Sequence, residues 1–280
     1  MKSLPANLLP LLKVPQGWLL SLATCLVVIH LTLAERTGDS NFFGLSLLVW
    51  YAVFSCLQHQ WPNLRWQSSL GASLIGAGLI GVFLLRSLSA SGNVGVTILP
   101  LLGGLGLALF VSGFQGLKRY WREFILLGIL AIPGELGISI LNISHTLALV
   151  ITKIVGFLLW YIGFQVSVEG NHLYFQTGGI IVNDACAGVN NLTYLVKVSV
   201  IFLLLFPLKS PKKRWIVPFV ALVLAFVMNL FRVALLAVLS PSFPGAFEYW
   251  HEGQGSFVFT LVIVILFGCF YFSLLRQETT

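Results

Sequence analysis

Charged side chains are scarce in this sequence. Only 9% of its 280 residues are Asp, Glu, Lys or Arg, whereas 58% are hydrophobic. A composition so poor in charge excludes a soluble domain with a polar surface. The 16 basic and 9 acidic residues include no basic stripe interleaved with aromatic residues, so no nucleic-acid partner is expected. The sequence predicts an integral membrane protein whose surroundings are membrane lipid.

Cysteine is also rare, and its spacing excludes two common uses. The four cysteines are Cys25, Cys56, Cys186 and Cys269. No CxxC pair and no Cys/His metal-binding spacing occurs, so neither a disulfide framework nor a metal site is expected, and no cofactor is predicted. Three of the four lie in apolar runs and are typical of small core residues. Cys186 differs because Asp184 and Gly188 flank it.

Long apolar segments predict an all-α polytopic fold with about eight transmembrane helices. The segments are 18–33, 42–57, 70–85, 98–114, a fifth from 124 onward, 187–206, 215–239 and 257–275. We predict a single integral membrane domain over residues 1–280. It comprises an N-terminal four-helix part at 1–122 and a catalytic part at 123–280.

The middle of the chain holds one apolar stretch too many. Residues 124–141 and 146–163 cannot both cross if the following loop is outside, and Pro133 and Gly134 interrupt the first. We predict that the chain reaches the outer face near Pro133 and that the stretch to about Gly163 lies in the interface or re-enters the membrane.

Basic clusters predict which side each loop faces. Residues 118–122 and 209–214 are rich in Lys and Arg, which marks both loops as cytoplasmic. Lys2, Lys13 and Arg276 place both termini on that side. The opposite side is acid-rich, and the segments around Cys186, Arg232 and His251 all fall on it.

The approach to Cys186 alternates between apolar and polar residues. Residues 164–182 therefore predict a short extracytoplasmic β-hairpin that turns near Gly170. Asn183 and Asp184 then suit the N-cap of a helix whose first turn holds Cys186, where the helix dipole favours a thiolate. Gly188 would let a substrate backbone approach closely.

Two polar residues interrupt the apolar run at 215–239. Asn229 and Arg232 are three residues apart and so lie on one helix face. A guanidinium inside an apolar span normally faces a cavity or a partner. A snorkelling arginine, or one paired with Glu248 or Asp184 for folding alone, remains open.

His251 is predicted in the loop before the last span, beside Glu252. A thiol, a guanidinium and an imidazole at one interface favour cysteine acyl transfer. Cys186 would be the nucleophile, His251 would move the proton, and Arg232 would neutralise the oxyanion. The supporting residues are predicted to be Asn229, Asp184, Gly188 and Glu252.

The motifs DACAGVNNLTYL, NLFRVALLAV and WHEGQGSFVF, in that order, resemble the exosortases and archaeosortases, most closely their cyanobacterial branch. The resemblance covers roughly the second half of the chain, although Ala187 replaces a serine that many members have. It implies a cysteine endopeptidase or transpeptidase with Cys186, Arg232 and His251 as its catalytic residues. The implied location is the bacterial plasma membrane. The implied partners are secreted or surface proteins whose C-terminal sorting signal has a Pro-Glu-Pro-like motif, a transmembrane helix and a basic tail.

Two other functions remain open. In a transporter, Arg232, Lys197 and Glu135 would be pathway charges, and the break near Pro133 would mark a discontinuous helix. A non-catalytic envelope assembly factor would tolerate loss of the Cys186 thiol, whereas the enzyme would not. The sequence does not specify the oligomeric state.

Overall fold

The chain forms two compact units, Met1–Pro133 and Gly134–Thr280. This computed structural model describes residues 15–60, 68–89, 93–132, 143–176, 178–251 and 253–279. The predicted division of one domain into 1–122 and 123–280 stays a prediction. Lys2, Lys13 and the predicted break at Pro133 and Gly134 lie outside the described residues.

The first unit is helical throughout its described part. Its helices are α1 (Pro15–Arg36), α2 (Ser40–Gln60), α3 (Leu70–Ser89), α4 (Asn93–Thr97), α5 (Leu99–Gly116) and α6 (Trp121–Ala131). A 3₁₀ turn at Leu117–Tyr120 joins the last two. Helix α5 is kinked at Gly113, whose φ of 62° and ψ of −171° are not helical.

Glycines bring α3 and α5 into direct backbone contact. A Cβ on Gly76 would lie 2.7 Å from the carbonyl oxygen of Gly106 and 2.7 Å from the amide nitrogen of Phe110. Small residues allow such close approach between membrane helices. Gly76 and Gly106 therefore permit the close helix contact, whereas Gly78 has open space around its Cα.

The described part of the second unit joins five helices to a small sheet. Its elements are α7 (Ile143–Tyr161), β1 (Val166–Glu169), β2 (His172–Phe175), β3 (Gly178–Ile181), a 3₁₀ turn (Asp184–Ala187), α8 (Val189–Leu205), α9 (Pro211–Leu239), α10 (Pro244–His251) and α11 (Gln254–Thr279).

The sheet is antiparallel with the order β1-β2-β3. Val166 pairs with Phe175 in the first ladder, and His172 pairs with Ile181 in the second. The predicted hairpin is confirmed, with Gly170 in its turn at a φ of 60°. The third strand was not predicted, because its Gly178-Gly179 start is unfavourable for a strand.

Helix α7 covers the sheet and the turn that follows it. Its buried stripe of Ala148, Ile151, Val155 and Leu159 shares one core with Leu173, Val182, Ala187, Val189, Val233 and Ala237. The stripe has the spacing of one helix face. It therefore fixes the end of β3 and the 3₁₀ turn against the C-terminal half of α9.

The predicted polytopic all-α membrane fold is confirmed. Within the described residues, seven helical stretches are long and apolar enough to cross a membrane, and α8 is a shorter apolar helix. The seven are Gly17–Arg36, Ser40–Gln58, Leu70–Ser89, Gly95–Ala131, Ser144–Tyr161, Pro211–Leu239 and Gly255–Glu278.

The middle region differs in detail from its prediction. Helix α6 ends at Ala131 and Ile132 is extended, with a ψ of 112°. The residue before a proline avoids the helical conformation, which accounts for this end. Residues 143–161 form a continuous helix, and Ser144–Tyr161 is long enough to span. This helix packs on the sheet and on one half of α9, and these contacts fit either placement. The predicted interfacial or re-entrant position of this segment therefore stays a prediction.

The loop before α9 is hydrogen-bonded to the end of α11. Glu278 accepts hydrogen bonds from the backbone N–H groups of Lys209 (2.6 Å) and Ser210 (3.1 Å). Its carboxylate also lies 3.7 Å from Lys213 Nζ. The basic loop therefore lies at the start of α9, and Asn229 and Arg232 lie near its other end.

We expect Gly76→Ala to destabilise the protein by about 1–3 kcal/mol, because the new methyl group would collide with the backbone of α5. The matched control, Gly78→Ala, lies on the same helix in open space and should be neutral or stabilising by up to about 1 kcal/mol. Thermal unfolding in detergent measures both. Equal melting temperatures would contradict the close α3–α5 contact.

Candidate active site

Cys186 lies in the 3₁₀ turn that connects the sheet to α8. Asn183 precedes the turn in extended conformation, and its Oδ1 accepts a hydrogen bond from the Cys186 N–H at 3.0 Å. The capping role of Asn183 is thus confirmed. The prediction that Cys186 occupies the first turn of the following helix is wrong, because Gly188, at a φ of 73°, separates the turn from α8.

Asn229 connects this turn to α9. Its side chain is 1% exposed, and its Nδ2 donates to the carbonyl oxygen of Cys186 at 3.0 Å. Its Oδ1 is buried and has no hydrogen-bond partner in the described part of the chain. A buried amide left without its partner costs about 1–3 kcal/mol. The bond therefore holds the Cys186 backbone in a defined position relative to α9.

Gly188 accommodates Asn229. A Cβ on Gly188 would lie 2.6 Å from Nδ2 and 2.7 Å from Oδ1 of Asn229. The group that lies against Gly188 is therefore the Asn229 side chain, and the predicted approach of a substrate backbone stays a prediction. The left-handed φ of Gly188 is a second reason for glycine at this position.

His251 faces the thiol. Its Nε2 lies 3.7 Å from Cys186 Sγ, a hydrogen-bonding distance for sulfur. His251 is the last residue of α10, so its predicted loop position is wrong. Its ring stacks on Phe247, with centroids 5.1 Å apart. Phe247 was not predicted as a neighbour of His251. Its i, i+4 spacing from His251, on a helix that starts at Pro244, could have indicated the contact.

Arg232 reaches the same place from α9. Its Nη2 donates to the backbone carbonyl of His251 at 3.1 Å. The last carbonyls of a helix lack internal partners, and a cation there is favourable. Its Nε is buried and has no hydrogen-bond partner within the described residues. One guanidinium thus holds the end of α10 through Nη2, while its Nε bonds to none of the described groups.

The acidic residues predicted near Arg232 and Cys186 form no ion pair with Arg232 among the described side chains. Glu248 is exposed, and no ion pair joins it to Arg232 among the described side chains. Asp184 begins the 3₁₀ turn, but its side chain lies outside the described residues, as do Glu252 and Glu135. Lys197 is half-buried within α8. The predicted supporting roles of Asp184 and Glu252 stay predictions.

Burial sets the protonation of the thiol. Desolvation raises the pKa of Cys186 above its ordinary value, and the Arg232 charge and a hydrogen bond with the Asn183 backbone act in the opposite direction. The expected helix terminus is replaced by a 3₁₀ turn in which Cys186 is half-buried. The thiol therefore has a partly desolvated environment that favours its neutral form and a neighbouring cation that favours its ionised form.

The site thus belongs to a multi-pass membrane protein that brings a thiol, an imidazole and a guanidinium together. The sequence matches the transmembrane exosortase family over residues 35–268, which is most of the chain, and the protein belongs to that family. Membership gives it a general role as a cysteine-dependent membrane protease or transpeptidase in protein sorting, acting on secreted substrates with C-terminal sorting signals. The cyanobacterial branch stays a prediction. Comparison with curated proteins and with solved structures gives no significant match.

We expect Gly188→Ala to disrupt the site more than Gly170→Ala does. Both glycines have positive φ, so both alanines incur roughly 1–2 kcal/mol of left-handed strain. Only at Gly188 does the methyl group also displace Asn229. Melting temperature and the alkylation rate of Cys186 should therefore change more in Gly188→Ala. Equal changes in the two variants would contradict the Gly188–Asn229 contact.

The raised pKa predicts a pH profile for Cys186 alkylation. Only the thiolate reacts, so the iodoacetamide rate should keep rising with pH beyond the range of an ordinary thiol. Arg232→Gln removes a charge that lowers the pKa, so the profile should move further to high pH. A chain with its other three cysteines changed to alanine isolates the signal. An unmoved profile in Arg232→Gln would show that the guanidinium does not act on the thiol.

Proposed function

We propose that this protein cleaves the C-terminal sorting signal of secreted proteins through a thioester on Cys186. The observation that carries the proposal is the approach of Cys186 Sγ to His251 Nε2 at 3.7 Å, from two elements separated by 65 positions in the chain. A nucleophile within reach of a base that a third group orients is the common geometry of covalent catalysis.

In the first half-reaction, Cys186 Sγ attacks the carbonyl carbon of the cleaved peptide bond. The thiol proton passes to His251 Nε2 as the S–C bond forms. Collapse of the tetrahedral intermediate breaks the C–N bond, and His251 returns the proton to the departing amine. The acyl group remains on Cys186 as a thioester, which water or an acceptor amine then attacks.

Arg232 has two proposed tasks. Its bond to the His251 carbonyl fixes the end of α10 and thereby orients the imidazole. Its buried Nε, without a partner among the described groups, is available to the oxyanion that forms on the substrate carbonyl. Preorganised donors in a water-poor site stabilise such charge strongly, and loss of one typically costs about 10²–10³ in kcat.

The position of the site within the second unit supports an extracytoplasmic placement. The basic loop at Lys209–Arg214 leads into the start of α9, whereas Asn229 and Arg232 lie near its other end. Basic loops favour the cytoplasmic side. We therefore propose a bacterial plasma-membrane enzyme with both termini in the cytoplasm and Cys186 on the outer face.

We expect Cys186→Ala to abolish cleavage of a co-expressed secreted reporter that carries a C-terminal sorting signal. Arg232→Ala and His251→Ala should reduce it by about 10² or more. Reporter size and its release from the membrane provide the measurement. The matched controls Cys269→Ala and Arg86→Ala should cleave normally, since both residues are exposed and lie outside the elements that carry the site.

Two outcomes would reject this mechanism. Cleavage that persists in Cys186→Ala would exclude the thioester. Full activity in His251→Ala or Arg232→Ala, at normal membrane levels, would remove that residue from the catalytic machinery.

A further inference from the structure

The outer edge of β3 is open. Antiparallel ladders direct the N–H and C=O of alternate residues toward the neighbouring strand. Val182 N–H donates to the Asn171 carbonyl at 2.8 Å, on the β2 side. Ile180, two residues earlier, faces the same way. Gly179 and Ile181 therefore direct their N–H and C=O groups away from β2.

These edge groups are accessible. Gly179 is exposed, and its exposed surface is necessarily backbone; Ile181 is 58% exposed. No hydrogen bond occupies their outer side among the described residues. Pro241 approaches β3 at Gly178, where a Cβ would lie 3.5 Å from its Cβ. The open part of the edge thus begins after Gly178 and runs toward Val182.

This edge leads directly to the nucleophile. Cys186 follows Ile181 by five residues, which span no more than about 17 Å even when fully extended. The intervening Val182 is fully buried, and Asn183 caps the turn. A peptide that pairs with Ile181 would therefore lie close enough to reach the Cys186 turn.

We propose that the β3 edge binds the substrate as an added β-strand beside the bond that Cys186 cleaves. This inference rests on the proposed protease function and specifies how that substrate is held. Gly179 and Ile181 present donor–acceptor pairs at every second residue, a spacing that an extended polypeptide matches and that a lipid headgroup or a helix does not. Main-chain bonds of this kind hold a substrate largely independently of its sequence.

The first test compares Ile181→Pro with Ile181→Ala on a reporter that the wild type cleaves. Proline removes the outward N–H without breaking a bond to β2, and Ile180 before it is already in a strand, as proline requires. Alanine removes the side chain but keeps the N–H. We expect kcat/KM to fall about fivefold to tenfold in the proline variant relative to alanine, mainly through KM. The Cys186 alkylation rate should be the same in both variants.

The second test leaves the protein unchanged. Synthetic peptides covering the cleaved segment of the reporter carry one ester in place of one amide, at successive positions, and wild-type protein cleaves them. Strand addition predicts losses at every second position, because only alternate substrate residues face β3. This scan decides the question if Ile181→Pro does not fold.

The outcomes separate the two proposals. Wild-type cleavage with equal proline and alanine variants and no alternation in the ester scan would reject β3 as the binding edge and leave the proposed function intact. No cleavage by the wild type would reject the proposed function and, with it, this inference.

Discussion

The arrangement of the site depends on one buried amide. Asn229 is almost inaccessible to solvent, and its bond to the Cys186 carbonyl joins the 3₁₀ turn to α9. A low-dielectric interior strengthens such a bond and makes its loss costly. Only glycine fits at position 188 against this amide. The 3₁₀ turn and α9 are therefore matched in shape as well as in hydrogen bonding.

Helix α9 acts as the frame for all three reactive groups. Asn229 holds the turn that carries Cys186, and one turn later Arg232 holds the end of the helix that carries His251. Each connection is a side-chain donor to a backbone carbonyl. The distance between thiol and imidazole is therefore set by two residues on one rigid face, which preorganises the pair better than contacts between loops do.

Much of this arrangement could be predicted from the sequence. The three-residue spacing of Asn229 and Arg232 implies a shared helix face, and the alternating pattern before Asn183 implies strands. The 3₁₀ turn was not predicted, because the same capping residues precede α-helices and 3₁₀ helices. The helical position of His251 was not predicted, because a helix as short as α10 shows little periodicity. The raised pKa of Cys186 was also missed, since burial depends on α7, which is distant in sequence.

A half-buried thiol beside a half-buried cation has a consequence for the proposed chemistry. Desolvation raises the pKa of Cys186 and so favours the thiol over the thiolate. In the proposed mechanism, negative charge develops when the substrate carbonyl arrives, and it moves to the carbonyl oxygen as the S–C bond forms. Arg232 lowers the pKa of Cys186, and its Nε has no hydrogen-bond partner among the described groups, so in the proposed mechanism one cation stabilises both forms of this charge. The same desolvation that disfavours the thiolate would strengthen that stabilisation once a substrate is bound.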